Sequence, residues 1–140
     1  MTSGPQHITS AANPLLKDLR KLSQDSHAHR RLGRIWIEGD HLCGAALQRG
    51  LQPQVLVIAE SLSHEEPQWL GRAERDVIVA DDLFATLSSL ESPARVGFLI
   101  DAPRAGEIAP KVASVVLDRL QDAGNVGSIL RSAAAAGVEE

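Results

Sequence analysis

The residues whose types and spacing could do chemistry fall in one stretch, Val115 to Gly137 (VVLDRLQDAGNVGSILRSAAAAG). An apolar run, the β-branched Val115 and Val116 with Leu117, stops at Asp118 and gives way to a polar loop holding Gly124, Asn125 and Gly127. Ile129, Leu130, Ala133, Ala134 and Ala136 then recur at helical spacing on a buried side, with Arg131, Ser132 and Ala135 turned away and Gly137 as the stop signal. Strand, glycine-containing loop and helix is the order in which open α/β sheets hold ligands. Arg131 is expected about one turn inside the helix, so its guanidinium can reach back over the loop. No G-x-G-x-x-G is present, which argues against a dinucleotide site. No cluster of His, Cys, Asp or Glu has metal-ligand spacing, and His7, His27, His29, His41 and His64 are scattered.

A second set of residues is basic. Up to Arg34 the chain carries Lys17, Arg20, Lys21, Arg30, Arg31 and Arg34 against Asp18 and Asp25, whereas Glu60 to Glu107 is acidic. The net charge of −4 argues against a generally adhesive nucleic-acid binder, but a basic end on an acidic body suits a polyanion held at one place. Aromatics make up 3% of the chain and Tyr is absent, so a base-stacking platform is not expected and Trp36 and Trp69 are assigned to the core. Recognition would then rest on Arg/Lys–phosphate contacts and on shape. With 140 residues, 44% of them hydrophobic, the chain can bury one core of its own. It has no apolar run of membrane-span length, no secretory leader is expected, and the single Cys43 can form no internal disulfide. A reducing, cytoplasmic setting is the simplest expectation.

The elements that must position these residues can be read in order. Residues up to Ser10 are expected to be loose, and Asn13-Pro14 opens a helix whose stripe is Leu15, Leu16, Leu19 and Leu22. Ser23 to Arg31 continues as helix or loop. Arg34 to Glu38 (RIWIE) alternates as a strand, Gly39-Asp40 starts a helix from His41 to Arg49, and Gln54 to Ala59 is a strand buried on both faces. A helical pattern over Glu65 to Arg72, a strand over Asp76 to Ala80, a helix capped by Asp81 through Leu87 and a strand over Arg95 to Ile100 follow. Strands alternating with helices predict an α/β layer sandwich on a largely parallel sheet. Asp101 to Pro110 reads as a linker, and Val112 to Leu117 as the strand that starts a second domain.

In VLDRLQDAGNVGSILRSAAAAGV, the residues Asp118, Leu120, Asp122, Gly124, Asn125, Gly127 and Arg131 fall in register with a known motif, with Ala123 for its usual Pro and Ser132 for its Thr. The stretch resembles motif 1 of the SpoU/TrmH-type RNA ribose 2′-O-methyltransferases of the SPOUT superfamily. Ser10, Asn13, Pro14, Lys17, Arg30, Arg31, Glu38 and Gly39 also resemble that family's substrate-binding domain, in family order. The resemblance implies an RNA-binding domain over residues 1–101, a linker over 102–113 and the start of a knotted methyltransferase domain over 114–140. It implies S-adenosylmethionine as cofactor of the intact enzyme, with the pocket residues outside this chain. The intact enzyme would be a homodimer acting on rRNA or tRNA. Asn125 and Arg131 would be catalytic, Gly124 and Gly127 would admit close backbone approach, and Lys17, Arg30, Arg31, Arg34 and Glu38 would contact RNA. The chain alone is then expected to bind RNA without catalysis; a free-standing RNA-binding module is the alternative reading.

Overall fold

Asn13 and Pro14 start the first helix, α1 (Pro14–Gln24). The Asn13 side-chain oxygen accepts from the Leu15 N–H at 2.9 Å, and Pro14 takes a first-turn position where no N–H is needed. Leu16 and Leu19 are fully buried, Leu15 and Leu22 pack beside them, and Lys17 and Lys21 stay in water. The computed structural model describes residues 4–104, 106–107 and 109–138, in two units, Met1–Pro103 and Arg104–Glu140.

The first unit runs β1 (Gln6–Ile8), α1, α2 (Ala28–Leu32), β2 (Arg34–Glu38), α3 (Asp40–Gln48), β3 (Val55–Ala59), α4 (Glu60–Glu65), a 3₁₀ turn at Pro67–Trp69, β4 (Arg75–Val79), α5 (Asp81–Ala85) and β5 (Val96–Asp101). The strands form one sheet in the order β1-β4-β3-β5-β2. β3 is central and buried throughout: Val55, Val57 and Ala59 face a core shared with α1 and Phe84 of α5, while Leu56 and Ile58 face a core shared with Cys43 of α3 and Leu62 of α4. The unit is therefore a three-layer α/β/α sandwich. Gly39 has φ of +100°, and that conformation turns the chain from β2 directly into α3.

The sheet is mixed, which corrects the expectation of a largely parallel one. β1 and β3 pair with β4 in parallel, but β5 is antiparallel to both β3 and β2. The 5 residues of α5 rise about 7.5 Å, and a ten-residue segment without regular strand or helix follows it to β5. The chain enters β5 at the end where β3 and β4 finish, with Ala59 N–H donating to Arg95 O at 2.8 Å.

Other boundaries also differ from the sequence expectation. Gln6–Ile8, expected to be loose, pairs with Val77–Val79 and buries Ile8; a three-residue strand with one inward side chain carries no readable period. Met1, Thr2 and Ser3 lie outside the described residues. The helix expected over Glu65–Arg72 forms earlier, as α4, because its cap comes from elsewhere in the chain. Asp81 Oδ1 accepts the Ser61 N–H at 3.0 Å, so Asp81 caps α4 and not α5, whose own N-cap is Ala80. Hydrogen bonding from Ser61 holds the Asp81 carboxyl below the ordinary carboxylate range. A lowered folded pKa stabilises above the ordinary value and is lost as pH falls through the folded one. Asp81→Ala should therefore cost about 1 kcal/mol at pH 7 and progressively less below about pH 4. Urea titrations at the two pH values would check this, and a cost independent of pH would contradict it.

In the second unit Val112–Leu117 is not a strand. Val116 is 88% exposed and no ladder partner lies among the described residues; a β-branched run cannot be a strand without a neighbour to bond. The helix, α6 (Ala123–Ala135), begins four residues before the expected Gly127, so Gly124, Asn125 and Gly127 are helical and not in a loop. Gly137 (φ +77°) ends it as expected, with Gly137 N–H donating to Ala134 O at 3.1 Å and Val138 N–H to Ala133 O at 3.0 Å. The expected buried side is not there: no residue of α6 is buried, and Val126, Ile129 and Ala133 are half-buried. Of the expected linker, Asp101 belongs to β5, the described residues 102–104, 106–107 and 109 carry no regular structure, and Ala105 and Ile108 lie outside the described residues. No helix among the described residues is long and apolar enough to cross a membrane.

Candidate nucleic-acid interface

Three of the five residues expected to contact RNA, Arg30, Arg31 and Arg34, lie where α1, α2 and β2 meet, and Lys17 stands on α1 about 12 Å before Asp25. Asp25 builds this corner: its Oδ1 accepts the His27 N–H at 2.8 Å and its Oδ2 accepts from Arg31, tying the start of α2 to its last turn. The His27 N–H first, and Arg31 after it, hold the Asp25 carboxyl below its ordinary range. Arg31 is thus already paired. Among the described residues the side chains of Lys17, Arg30 and Arg34 have no hydrogen-bond or ion-pair partner and are exposed. Lys21 stands 4.0 Å from Asp18. Arg20, also in the basic set, is structural: it donates to Ala11 O at 2.8 Å and to Thr86 Oγ1 at 3.2 Å.

Glu38 is not brought to this corner. It ends β2 about 13 Å from Arg34 at the usual strand rise. Its Oε1 accepts both the Ser89 N–H and the Ser89 hydroxyl at 3.1 Å, and its Oε2 is buried with no partner among the described residues.

Beside the basic corner the structure opens a cleft of about 260 Å³ lined by Leu22, Asp25, Ser26, His29, Ile35 and Trp36. Sequence reasoning missed it. Trp36, assigned to the core, is only half-buried because β2 is the edge strand of the sheet. Trp69, likewise assigned to the core, is half-buried, packed edge-on against Phe98 at 6.1 Å with its indole N–H on Glu66 at 2.9 Å. Cys43 is inert as a nucleophile, since burial pushes its thiol up to about 12.

In α6, Asp122 is the N-cap and accepts the Asn125 N–H at 3.0 Å, which makes Asn125 a first-turn residue. Arg131 lies two turns into the helix, not one. Its guanidinium folds back toward the N-terminus, donating to Ser128 Oγ at 3.3 Å and passing 3.2 Å from where a Cβ on Gly127 would stand. Six residues of helix turn through about 600°, which sets the Asn125 and Arg131 side chains roughly 120° apart and not on one face. A shallow cavity of about 420 Å³ is lined by Val115, Ser128, Ile129, Ser132 and Ala133. Apolar walls and two hydroxyls do not match the charged ammonium and carboxylate of S-adenosylmethionine, so these residues do not by themselves form its site.

Residues 13–97 match the family model of the MRM3-like substrate binding domain. The chain belongs to that family. The matched segment begins at the cap of α1 and ends inside β5, so the MRM3-like domain takes in the whole basic corner. The chain is 33% identical over 152 aligned residues to an uncharacterized tRNA/rRNA methyltransferase of Synechocystis, covering 99% of this chain and 53% of the relative. It is 28% identical to a 23S rRNA guanosine 2′-O-methyltransferase of Bacillus subtilis, covering 96% and 52%. Among solved structures, an rRNA methyltransferase from Sinorhizobium meliloti superimposes with a TM-score of 0.71 at 28% identity, covering 97% of this chain and 53% of that one; it has also been solved with AdoMet bound. The MRM3-like chain thus spans about half the length of the proteins it matches. These matches bear out the resemblance to SpoU/TrmH-type RNA methyltransferases.

Proposed function

We propose that this chain supplies RNA recognition to an S-adenosylmethionine-dependent RNA ribose 2′-O-methyltransferase acting on rRNA or tRNA. The match of residues 13–97 to a substrate-binding domain carries this reading. Lys17, Arg30 and Arg34 hold backbone phosphates, and Arg31 joins them by exchanging Asp25 for a phosphate. Glu38 acts indirectly, by fixing the Ser89 loop beside the end of β2. In the C-terminal unit Arg131 contacts the reacting nucleotide. A guanidinium keeps its proton at any working pH, so its part is to stabilise the developing 2′-alkoxide and position it, not to take its proton. Asn125, on another face of α6, contacts a different part of the nucleotide, and the Gly124 and Gly127 backbone becomes approachable once the Asp122 carboxylate and Arg131 guanidinium that lie over it move aside. The chain alone binds RNA without methylating it. The whole enzyme works in the cytoplasm as a homodimer.

The test is binding of a structured RNA across a salt series. Affinity should fall steeply with salt, and Lys17→Ala/Arg30→Ala/Arg34→Ala should reduce the slope by about 2 to 3, near 0.7–0.9 per lost phosphate contact. Absence of binding at low salt, or a slope unchanged by the three substitutions, would remove the corner from the interface.

A further inference from the structure

The cleft between α1, α2 and β2 differs from the basic surface around it. Its walls include Leu22, Ile35 and Trp36, and Asp25, Ser26 and His29 also line it. At about 260 Å³ it falls just below the roughly 300–1,000 Å³ of sites that enclose a whole small molecule. One planar ring system fits that size better than a nucleotide cofactor. The charge around it is one-sided. On each of the three elements a residue adjacent to a lining residue is basic: Lys21 before Leu22, Arg30 after His29, Arg34 before Ile35. Asp25, the acid in the lining, is already engaged by the His27 N–H and by Arg31. The cleft thus combines an aromatic side chain and apolar walls with a basic residue next in sequence on each of the three elements.

We infer that this cleft receives a single unstacked nucleobase of the bound RNA, whose flanking phosphates are held by Arg30 and Arg34. The inference rests on the RNA-binding reading above and adds to it a preference for RNA with an unpaired residue. Charge complementarity selects this occupant over an apolar peptide, since a base brought in on its own chain arrives with a phosphate on either side. Ring stacking and apolar contact give sequence-tolerant affinity, and His29 can meet the polar edge of the base.

The experiment uses the 140-residue chain and two RNA hairpins, one fully paired and one identical but for a single-nucleotide bulge. The bulged hairpin should bind about tenfold more tightly at the same salt, the lower part of what stacking one base contributes. Ser26→Phe, at an exposed turn position, places a ring in the cleft and should abolish the preference while leaving affinity for the paired hairpin unchanged. That unchanged affinity also reports an intact fold. His29→Ala should reduce the preference severalfold, and Arg30→Ala/Arg34→Ala should weaken both hairpins alike. Both hairpins bound equally, or a preference that survives Ser26→Phe, would overturn the cleft while leaving RNA binding standing. Binding of neither hairpin would overturn both.

Discussion

Gly97→Ala should cost the N-terminal unit about 3 kcal/mol, on the order of 15 °C in Tm for a unit of this size. Gly97 lies in β5 opposite Glu38, and the Trp36 ring of β2 lies across it. A Cβ there would stand 2.8 Å from Trp36 Cζ3 and closer still to Cη2 and Cζ2. No real carbon contact is that short, so the ring must move. Moving it breaks its packing on the core that contains Phe84, with ring centroids 6.2 Å apart. Displacing it forfeits apolar burial as well as introducing strain, and the two add. Backbone conformation is not the reason for glycine here; in a strand alanine would be the better residue. That separates the cause by a double-mutant cycle. In a Trp36→Leu background Gly97→Ala should be near neutral, a coupling of about 3 kcal/mol by urea unfolding. An equal cost in both backgrounds would show that the ring is not what Gly97 makes room for.

What the sequence disclosed and what it withheld divide along physical lines. Asn13-Pro14, the buried run of β3, the RIWIE strand and the Gly137 stop are local signals, and each stands where it was read. The direction of β5 was not legible, because it depends on the end of the sheet at which the chain re-enters, and that is fixed by pairing with β3, more than 35 residues back. The start of α4 was not legible either, since its cap, Asp81, lies 20 residues on. Gly124 and Gly127 suggested a loop, but Asp122 caps a helix whose alanines outweigh them. Val115–Leu117 has strand composition, yet composition cannot supply a ladder partner. The same division holds at the candidate interface. Charge alone marked Lys17, Arg30 and Arg34, whereas the engagement of Arg31 by Asp25, of Arg20 by Ala11 and Thr86, and of Glu38 by Ser89 depends on contacts made only on folding. The cleft beside Trp36 exists because β2 is an edge strand, and edge position is a property of the sheet.

Amide exchange should separate the two units by several orders of magnitude. Val57 and Ile58, at the centre of the sheet and fully buried, should exchange only on global unfolding, with protection on the order of 10⁴ or more. Amides from Val126 to Ala136 should exchange within about a hundredfold of an unstructured peptide. A 13-residue helix is marginal in water unless an apolar face is covered. The Asp122 cap and the Gly137 stop each favour α6 by about 1 kcal/mol, but Gly124 and Gly127 each cost about as much. The preceding segment holds Lys111 and Arg119 at φ of 69° and 51°, left-handed values that cost roughly 1–2 kcal/mol per residue. Burial repays little of this, with Val116 88% and Leu130 53% exposed. The helix geometry is therefore encoded locally while its stability is not. If Val126–Ala136 were protected to the level of β3, the half-buried face at Val126, Ile129 and Ala133 would have to be covered, and the ledger for α6 would need a packing contribution of several kcal/mol. Exchange measured with and without a bulged RNA hairpin would then show whether that cover comes from the ligand, because ligand cover slows exchange in α6 only when RNA is present.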